Sequence, residues 1–252
     1  LKSDCVIAGS NFIFKHILEN YPEHVPKMKK FLVIFRGINT EYFDPNNINK
    51  KERTKFFAKL NIEPGKKIIL MPGRLTEWKG QELLIESLNI LKTNFGYNNF
   101  VAIILGSDQG RDAYKKKLLR LVEQHRLNND VIFLEHANSM PVAYSIANVV
   151  VSASIEPEAF GRVSVEAQSM KRPIIASDIG GSKETIIDNR TGLLFKSEDP
   201  KSLSEKIDNI FRSDDTTLNA MGNSGRKNVE QKFNVEKMCF STYSEYKKLI
   251  NA

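Results

Sequence analysis

The chain has 252 residues, of which 41% are hydrophobic and 27% charged, a balance typical of a globular protein and not of a disordered or fibrous one. Its two cysteines, Cys5 and Cys239, are too few for a disulfide framework and form no CxxC spacing, which favours a reducing compartment and argues against structural zinc. The longest apolar runs are far shorter than the roughly 20 residues of a spanning helix, so we expect no membrane crossing.

The formal net charge of +7 is concentrated near the N-terminus. Residues 1–67 hold 13 Lys and Arg against 7 Asp and Glu, whereas residues 68–252 hold 24 against 23. A basic region that also carries phenylalanines suits an anionic membrane surface or an anionic substrate, and a solvated face is the simpler alternative. Nucleic acid is disfavoured because no recognised binding motif accompanies the charge.

In chain order, residues 3–8 and 30–35 are predicted strands that flank a helix over residues 12–19. This β-α-β fragment is too small to bury its own core. Residues 41–49, with Asp44-Pro45 and three asparagines, have turn chemistry and predict a domain boundary near residue 44.

From residue 67, apolar runs alternate with amphipathic stretches. The runs contain consecutive apolar residues, which is typical of parallel strands buried on both faces, and the intervening stretches predict crossover helices over residues 81–91 and 113–124. The predicted strands are residues 67–71, 100–105, 131–134, 148–152, 173–177 and 192–195. The sequence therefore predicts an α/β fold with a Rossmann-like, doubly wound parallel sheet. Helices over residues 202–211, 218–231 and 235–250 complete the chain, and Asp199-Pro200 predicts the start of the first.

The first motif that carries chemistry is residues 73–80, directly after a predicted strand. Gly73 and Gly80 permit tight turns, while Arg74 and Lys79 supply a fork of donors and a mobile point charge that suit a phosphate or diphosphate. The next helix adds its N-terminal amides. No Ser or Thr follows Lys79-Gly80, so the segment is not a Walker A loop, and a basic surface loop is the alternative.

The second motif is residues 156–166, which follow the predicted strand 148–152 and begin a helix at about Gly161. Glu158 and Glu166 would lie about 12 Å apart if the whole segment were helical, with Glu166 two turns inside. That is too wide for the carboxylates of a retaining glycosidase, but it suits an extended ligand with hydroxyls at both ends and a phosphate between. Alternatively, Glu158 only complements the helix dipole and Glu166 is a surface residue.

Together these residues resemble the C-terminal half of a family 4 (group 1) glycosyltransferase with the GT-B fold. The resemblance rests on the Glu158-x7-Glu166 spacing, on Gly73-Arg74-Leu75 with Lys79-Gly80, and on further matches at residues 36–43, 178–184 and 189–194. It covers essentially the whole chain. It implies three parts: residues 1–43 as a remnant of the N-terminal acceptor domain, residues 44–234 as the nucleotide-sugar-binding domain, and residues 235–252 as a C-terminal crossover helix.

The resemblance implies a role for each motif residue. Arg74 and Lys79 would clamp the donor diphosphate as the leaving group without a metal, so no cofactor is expected. Glu158 would hold hydroxyls of the donor sugar with help from the backbone amides of Phe160 and Gly161. Glu166 would hold the ribose, and Gly73 belongs to the diphosphate loop. The catalytic set is therefore Arg74, Lys79 and Glu158.

The resemblance also implies a retaining transfer from a UDP-sugar or GDP-sugar to a saccharide or lipid-linked acceptor of the cell envelope, as in lipopolysaccharide biosynthesis. Glu135 replaces a glycine that is common in the family near the nucleotide base, so the base is left open, as is the role of His136. The acceptor site and the family's usual catalytic histidine belong to the N-terminal domain. We therefore expect a cytoplasmic or membrane-peripheral protein that is a truncated, inactive fragment on its own and that pairs with the missing domain.

Two other functions remain open at this stage. A nucleotide-sugar epimerase of the same fold would share the diphosphate site but needs acid and base groups that reach the sugar, and the sequence offers no evident candidates. A non-catalytic domain that binds a nucleotide sugar is the second alternative, because intact binding residues do not demonstrate turnover.

Overall fold

A two-stranded parallel sheet forms the N-terminal part of the chain. In the computed structural model, which describes residues 5–27 and 30–251, β1 (Cys5–Ala8) pairs with β2 (Lys30–Val33), and α1 (Asn11–Asn20) lies between them. Residues 3 and 4 of the first predicted strand lie outside the described residues, and β2 ends two residues earlier than predicted. Because α1 has no buried residue, this unit contributes little core of its own.

Hydrogen bonds to distant parts of the sequence hold the start of α1. The Ser10 hydroxyl donates to the Ala159 carbonyl at 2.5 Å. Both carboxylate oxygens of Glu184 accept from the first turn, Oε2 from the Asn11 amide at 2.9 Å and Oε1 from the Phe12 amide at 2.5 Å. The two bonds to Glu184 satisfy N–H groups that have no partner inside the helix, and together with the Ser10 bond they anchor the N-terminal unit to the larger one.

The connection between the two units is pinned by one arginine. Arg226, on a helix near the C-terminus, donates to the Phe43 carbonyl at 2.9 Å and pairs with the Asp44 carboxylate at 2.9 Å. A 3-10 turn, Pro45–Asn47, follows, with Asp44 as its cap. The helix α2 (Lys50–Lys59) comes next; it was not predicted, because it has no fully buried face that would give it an apolar stripe.

Among the described residues, six parallel strands build the central sheet, in the order β5-β4-β3-β6-β7-β8. They are β3 (Lys67–Pro72), β4 (Phe100–Leu105), β5 (Val131–Leu134), β6 (Val149–Ser152), β7 (Ile174–Ser177) and β8 (Leu193–Phe195). Apart from Lys67 at the start of β3, the inner strands are buried throughout, as their apolar runs predict. The predicted α/β fold with a Rossmann-like parallel sheet is confirmed.

Helices cover both faces of this sheet. They are α3 (Gln81–Thr93), α4 (Asp112–Gln124), α5 (Met140–Ile146), α6 (Arg162–Ser169), α7 (Ser182–Thr185), α8 (Pro200–Arg212), α9 (Asp215–Lys232) and α10 (Val235–Ile250). One hydrophobic cluster joins α3, α4 and α8 to the sheet, and another joins α2, α5, α6 and α9 to the opposite face. Within the described ranges, none of the helices is both long and apolar enough to cross a membrane.

The chain returns to its N-terminal unit through α10. The Ile38 amide donates to the Phe233 carbonyl at 2.9 Å, and the Val235 amide donates to the Ile38 carbonyl at 2.9 Å. Further along α10, Lys30 from β2 forms an ion pair with Glu245. The last helix therefore begins beside the connection between the two units and runs against β2.

Candidate functional site

The sheet order brings the two predicted motifs together. From β3 the chain proceeds outward through β4 to β5, and from β6 it proceeds the other way through β7 to β8, so the neighbours β3 and β6 form the switch point of the topology. Ligands of doubly wound sheets bind in the crevice at the carboxyl ends of such strands. Residues 73–80 follow β3 and residues 153–161 follow β6, and the Ile155 amide donates to the Trp78 carbonyl at 2.9 Å.

Gly80 allows this close approach of the two loops. Its φ of +75° is in the left-handed region, and a Cβ there would lie 1.9 Å from the Ala153 carbonyl oxygen, just beyond β6. No larger residue fits between these backbones. The first helical turn of α3 thus begins in contact with the loop that carries Glu158.

A cleft of about 700 Å³ opens beside these loops, between the N-terminal unit and the end of the sheet. Its lining includes Glu158, Phe160, Gly161 and Glu166 of the predicted site. The remaining lining residues are Arg36, Gly37, Ile38, Asn39, Tyr42, Phe43, Trp78, Met140, Pro157, Ala159 and Arg162. We call this space the central cleft.

Lys79 and Glu158, two predicted catalytic residues, form an ion pair. The Lys79 ammonium donates to Glu158 Oε1 at 2.8 Å, and the two side chains are only 14% and 11% exposed. The Ser154 hydroxyl donates to the same oxygen at 2.5 Å. Such shielding strengthens the charge-assisted bond, and Ser154 is a supporting residue that the sequence analysis missed. Lys79 also lies 4.2 Å from the centre of the Trp78 ring.

Arg74 is positioned through its backbone. Its carbonyl accepts from the Gln81 side chain at 2.9 Å, and the Tyr114 hydroxyl donates to the other end of that amide at 3.3 Å. The Arg74 side chain is exposed and does not line the central cleft, and Gly73 lies outside the lining as well. The structure therefore brings Lys79 to Glu158 but leaves Arg74 turned to solvent.

Glu166 is a buried residue, so the alternative of a surface carboxylate is wrong. It is 6% exposed, and it lies about one turn inside α6 because the helix begins at Arg162; the predicted position two turns inside assumed helix from Glu158 onward. Oε2 accepts from the Tyr144 hydroxyl at 2.8 Å, and Oε1 accepts from Arg162 Nε at 2.6 Å. Burial and then the Glu166 charge raise the pKa of Tyr144 well above its usual value.

Phe160 and Gly161 both line the central cleft, but the ring of Phe160 packs against the core. The Phe160 ring is 6% exposed and packs edge-on against Phe233, with ring centres 5.6 Å apart. Phe160 nevertheless lines the cleft, next to Gly161. Beneath it, the Gly181 amide donates to the Glu158 carbonyl at 2.8 Å, and a Cβ at Gly180 would lie 2.7 Å from that oxygen. The glycine pair therefore supports the loop that carries Glu158.

Glu135 and His136, which the sequence analysis placed near a nucleotide base, line a different cavity. It has a volume of about 620 Å³ and lies between α2 and the segment that joins β5 to α5. In the described part of the chain, no group of three or more His, Cys, Asp or Glu side chains is arranged to hold a metal ion.

Comparison with known proteins places this chain in a family. The sequence model described as "Glycosyl transferases group 1" matches residues 52–228. The capsular polysaccharide biosynthesis glycosyltransferase CapM of Staphylococcus aureus is 31% identical over 78% of this chain and 49% of its own length. The chain spans about half the length of the curated relatives it matches.

Solved structures agree with this relationship. A glycosyltransferase of Rickettsia africae superposes with a TM-score of 0.90 and 33% identity, over 97% of this chain and 63% of that one. HepE of Anabaena, solved in complex with UDP and glucose, shares the fold with a TM-score of 0.85 and 22% identity, over 97% of this chain and 63% of its own. On the evidence of the family match, the sequence identity and the GT-B fold of these neighbours, the chain belongs to the group 1 glycosyltransferases.

Proposed function

We propose that this chain is the donor-binding half of a family 4 glycosyltransferase, which transfers a sugar from a nucleotide diphosphate sugar with retention of anomeric configuration. The observation that carries the proposal is the shielded Lys79–Glu158 pair at the switch point, with the buried Glu166 in the same cleft. A cation and two carboxylates at a strand-end crevice suit a ligand that has a diphosphate between two sets of hydroxyls.

In this proposal, each residue acts on a different part of the donor. Glu166 accepts hydrogen bonds from the ribose, and Glu158 accepts them from the sugar. Lys79 and Arg74 stabilise the negative charge that develops on the diphosphate as the bond from the anomeric carbon to the phosphate oxygen breaks. The acceptor oxygen bonds the anomeric carbon, and its hydroxyl proton passes to the released diphosphate. These two cations would take the place of a metal ion. Arg74 would have to turn inward from its exposed position.

The acceptor is proposed to be a saccharide or lipid-linked saccharide of the cell envelope. CapM, a relative by sequence, acts in capsular polysaccharide biosynthesis according to its name. The acceptor site itself is proposed to lie in an N-terminal domain that packs against residues 1–43 and against α10. In support, α10 presents exposed apolar side chains, among them Phe240 and Ile250, which are 72% and 83% exposed. The basic N-terminal region supports a peripheral membrane contact, on the cytoplasmic side.

Calorimetric titration of UDP, GDP and ADP into the chain, with and without EDTA, tests the donor site. One nucleoside diphosphate should bind equally well in EDTA, and Arg74→Ala and Glu166→Gln should each weaken it by about 1 to 3 kcal/mol, the value of a lost charge-assisted hydrogen bond. Arg120→Ala, an exposed arginine on α4, and Glu245→Gln, a shielded carboxylate with two lysine partners, are matched controls. Equal losses in these controls, or no binding at millimolar concentration, would contradict the proposal.

A further inference from the structure

Both carboxylates of the central cleft are paired with a cation. Glu158 is bonded to Lys79, which the proposed function assigns to the donor diphosphate. Glu166 is bonded to Arg162, to which the sequence analysis assigned no role. The two pairs have the same form: a well-shielded carboxylate that would accept hydroxyls, and a cation that neutralises it in the absence of ligand.

Arg162 occupies an unusual position for a cation. It is the first residue of α6, where the positive end of the helix dipole disfavours positive charge. Its side chain is 75% exposed, compared with 8% for that of Glu166, so the guanidinium lies at the open edge of the cleft. Only Nε is bonded; among the described residues the other guanidinium N–H groups have no partner. An anion in the cleft could therefore bind them.

The hydrogen bonds of Glu166 explain why Arg162 would have to move. Tyr144 holds Oε2 and is fully buried, so it cannot leave without disturbing the core. Arg162 holds Oε1, and its exposed side chain can rotate away. The hydroxyls of a ribose can donate to Oε1 of Glu166 in place of Arg162. They are neutral, however, so they leave Arg162 without a negatively charged partner. An anion that binds together with the ribose would supply that partner.

We propose that Arg162 is a further donor-binding residue that moves from Oε1 of Glu166 to the diphosphate when a nucleotide binds. The ribose hydroxyls take the oxygen that Arg162 leaves, and the guanidinium fork bonds phosphate oxygens at the N-terminus of α6. The ligand class is a nucleoside diphosphate, alone or as its sugar ester. This inference rests on the proposed function and adds to it a third cation and an exchange of partners.

The test compares ligands with and without the diphosphate. UDP, GDP and ADP are titrated into the chain, followed by the nucleoside of whichever one binds. Arg162→Met should lower the affinity for the nucleoside diphosphate about 10- to 100-fold, as expected for lost bonds to a charged group. The affinity for the nucleoside should stay within about twofold or increase. Arg162→Lys should recover part of the diphosphate affinity, since it restores a point charge without the fork.

Arg212→Met is the matched control. Like Arg162, Arg212 donates from Nε to a shielded carboxylate four positions away on the same helix, that of Asp208, at 2.7 Å, but it lies outside the cleft. It should leave both affinities unchanged. If Arg162→Met weakens the affinities for nucleoside and diphosphate equally, Arg162 only positions Glu166. If the affinity for diphosphate is unchanged or higher, Arg162 only competes for the site. Either result overturns the inference while the proposed function stands. If the unmodified chain binds none of the three diphosphates, the proposed function is overturned as well.

Discussion

The hydroxyl of Tyr144 should contribute measurably to stability, and its contribution should shrink at high pH. Tyr144→Phe removes a buried donor 2.8 Å from the Glu166 carboxylate without creating a cavity. A hydrogen bond to a charged group contributes about 1.5 to 3 kcal/mol, and Arg162 still holds the other oxygen of Glu166. We therefore expect the free energy of unfolding to fall by about 2 kcal/mol near pH 8.

The pH dependence follows from the raised pKa of Tyr144. Above the ordinary tyrosine pKa of about 10, the unfolded chain releases the proton while the folded chain keeps it, so stability falls as the pH rises. One such group makes the free energy of unfolding fall more steeply with pH, by up to about 1.4 kcal/mol per pH unit. Because Tyr144→Phe lacks this group, its deficit should shrink from about 2 kcal/mol at pH 8 to below about 1 kcal/mol at pH 11.

Urea unfolding of the two proteins at pH 8, 10 and 11 measures this deficit directly. Tyr97 and Tyr114, whose pKa values are also raised by burial, are present in both proteins and cancel in the difference. Tyr243→Phe, at a tyrosine that is 58% exposed, should have no effect at pH 8. A deficit that stays constant from pH 8 to pH 11, or no deficit at all, would refute the role assigned to the Tyr144–Glu166 bond.

Two further predictions concern the backbone around the cleft. Gly80→Ala should destabilise the chain by more than about 2 kcal/mol in urea unfolding, because its Cβ would lie 1.9 Å from the Ala153 carbonyl oxygen. Gly96→Ala, which has nearly the same φ but open space around it, should cost only about 1 kcal/mol. Equal losses in the two variants would exclude the steric clash. Arg226→Met should cost about 3 kcal/mol, because it leaves the shielded Asp44 carboxylate without its cation and takes a donor from the Ser169 and Phe43 carbonyls, of which Phe43 keeps the Ser169 hydroxyl. Asp44→Asn in the same background should recover part of that loss in thermal melts. No recovery would show that the ion pair contributes little.

The central sheet could be predicted from the sequence because each strand is a short apolar run, and the inner strands are buried on both faces while the edge strand β5 is half-buried. The strands β3 to β8 match the predicted ranges to within one residue at each end. The missed helices lack the local signal on which such predictions depend. Nearly every residue of α5 is buried, so it has no polar face and no amphipathic period, and α7 has only four residues. The short helix α2 is almost entirely polar, apart from Phe56 and Phe57.

The candidate site could be predicted only where its residues share a local segment. The spacing of four between Arg162 and Glu166 places both on one helix face, so that pair could have been found from the sequence. The pairing of Lys79 with Glu158 spans 79 positions and depends on the sheet order, which local patterns do not determine. The bond between Tyr144 and Glu166 could not be predicted from a local sequence pattern either, because it joins two separate helices.

The bonds from Glu184 to the start of α1 have a consequence for the order in which the chain can fold. Residues 11 and 12 are synthesised well before residue 184, and until then the first amides of α1 lack the carboxylate that accepts from them. An isolated helix of ten residues with no buried face is unstable in water. During synthesis, α1 should therefore become stable only after β7 and α7 have emerged, which makes the N-terminal segment one of the last parts of the chain to settle.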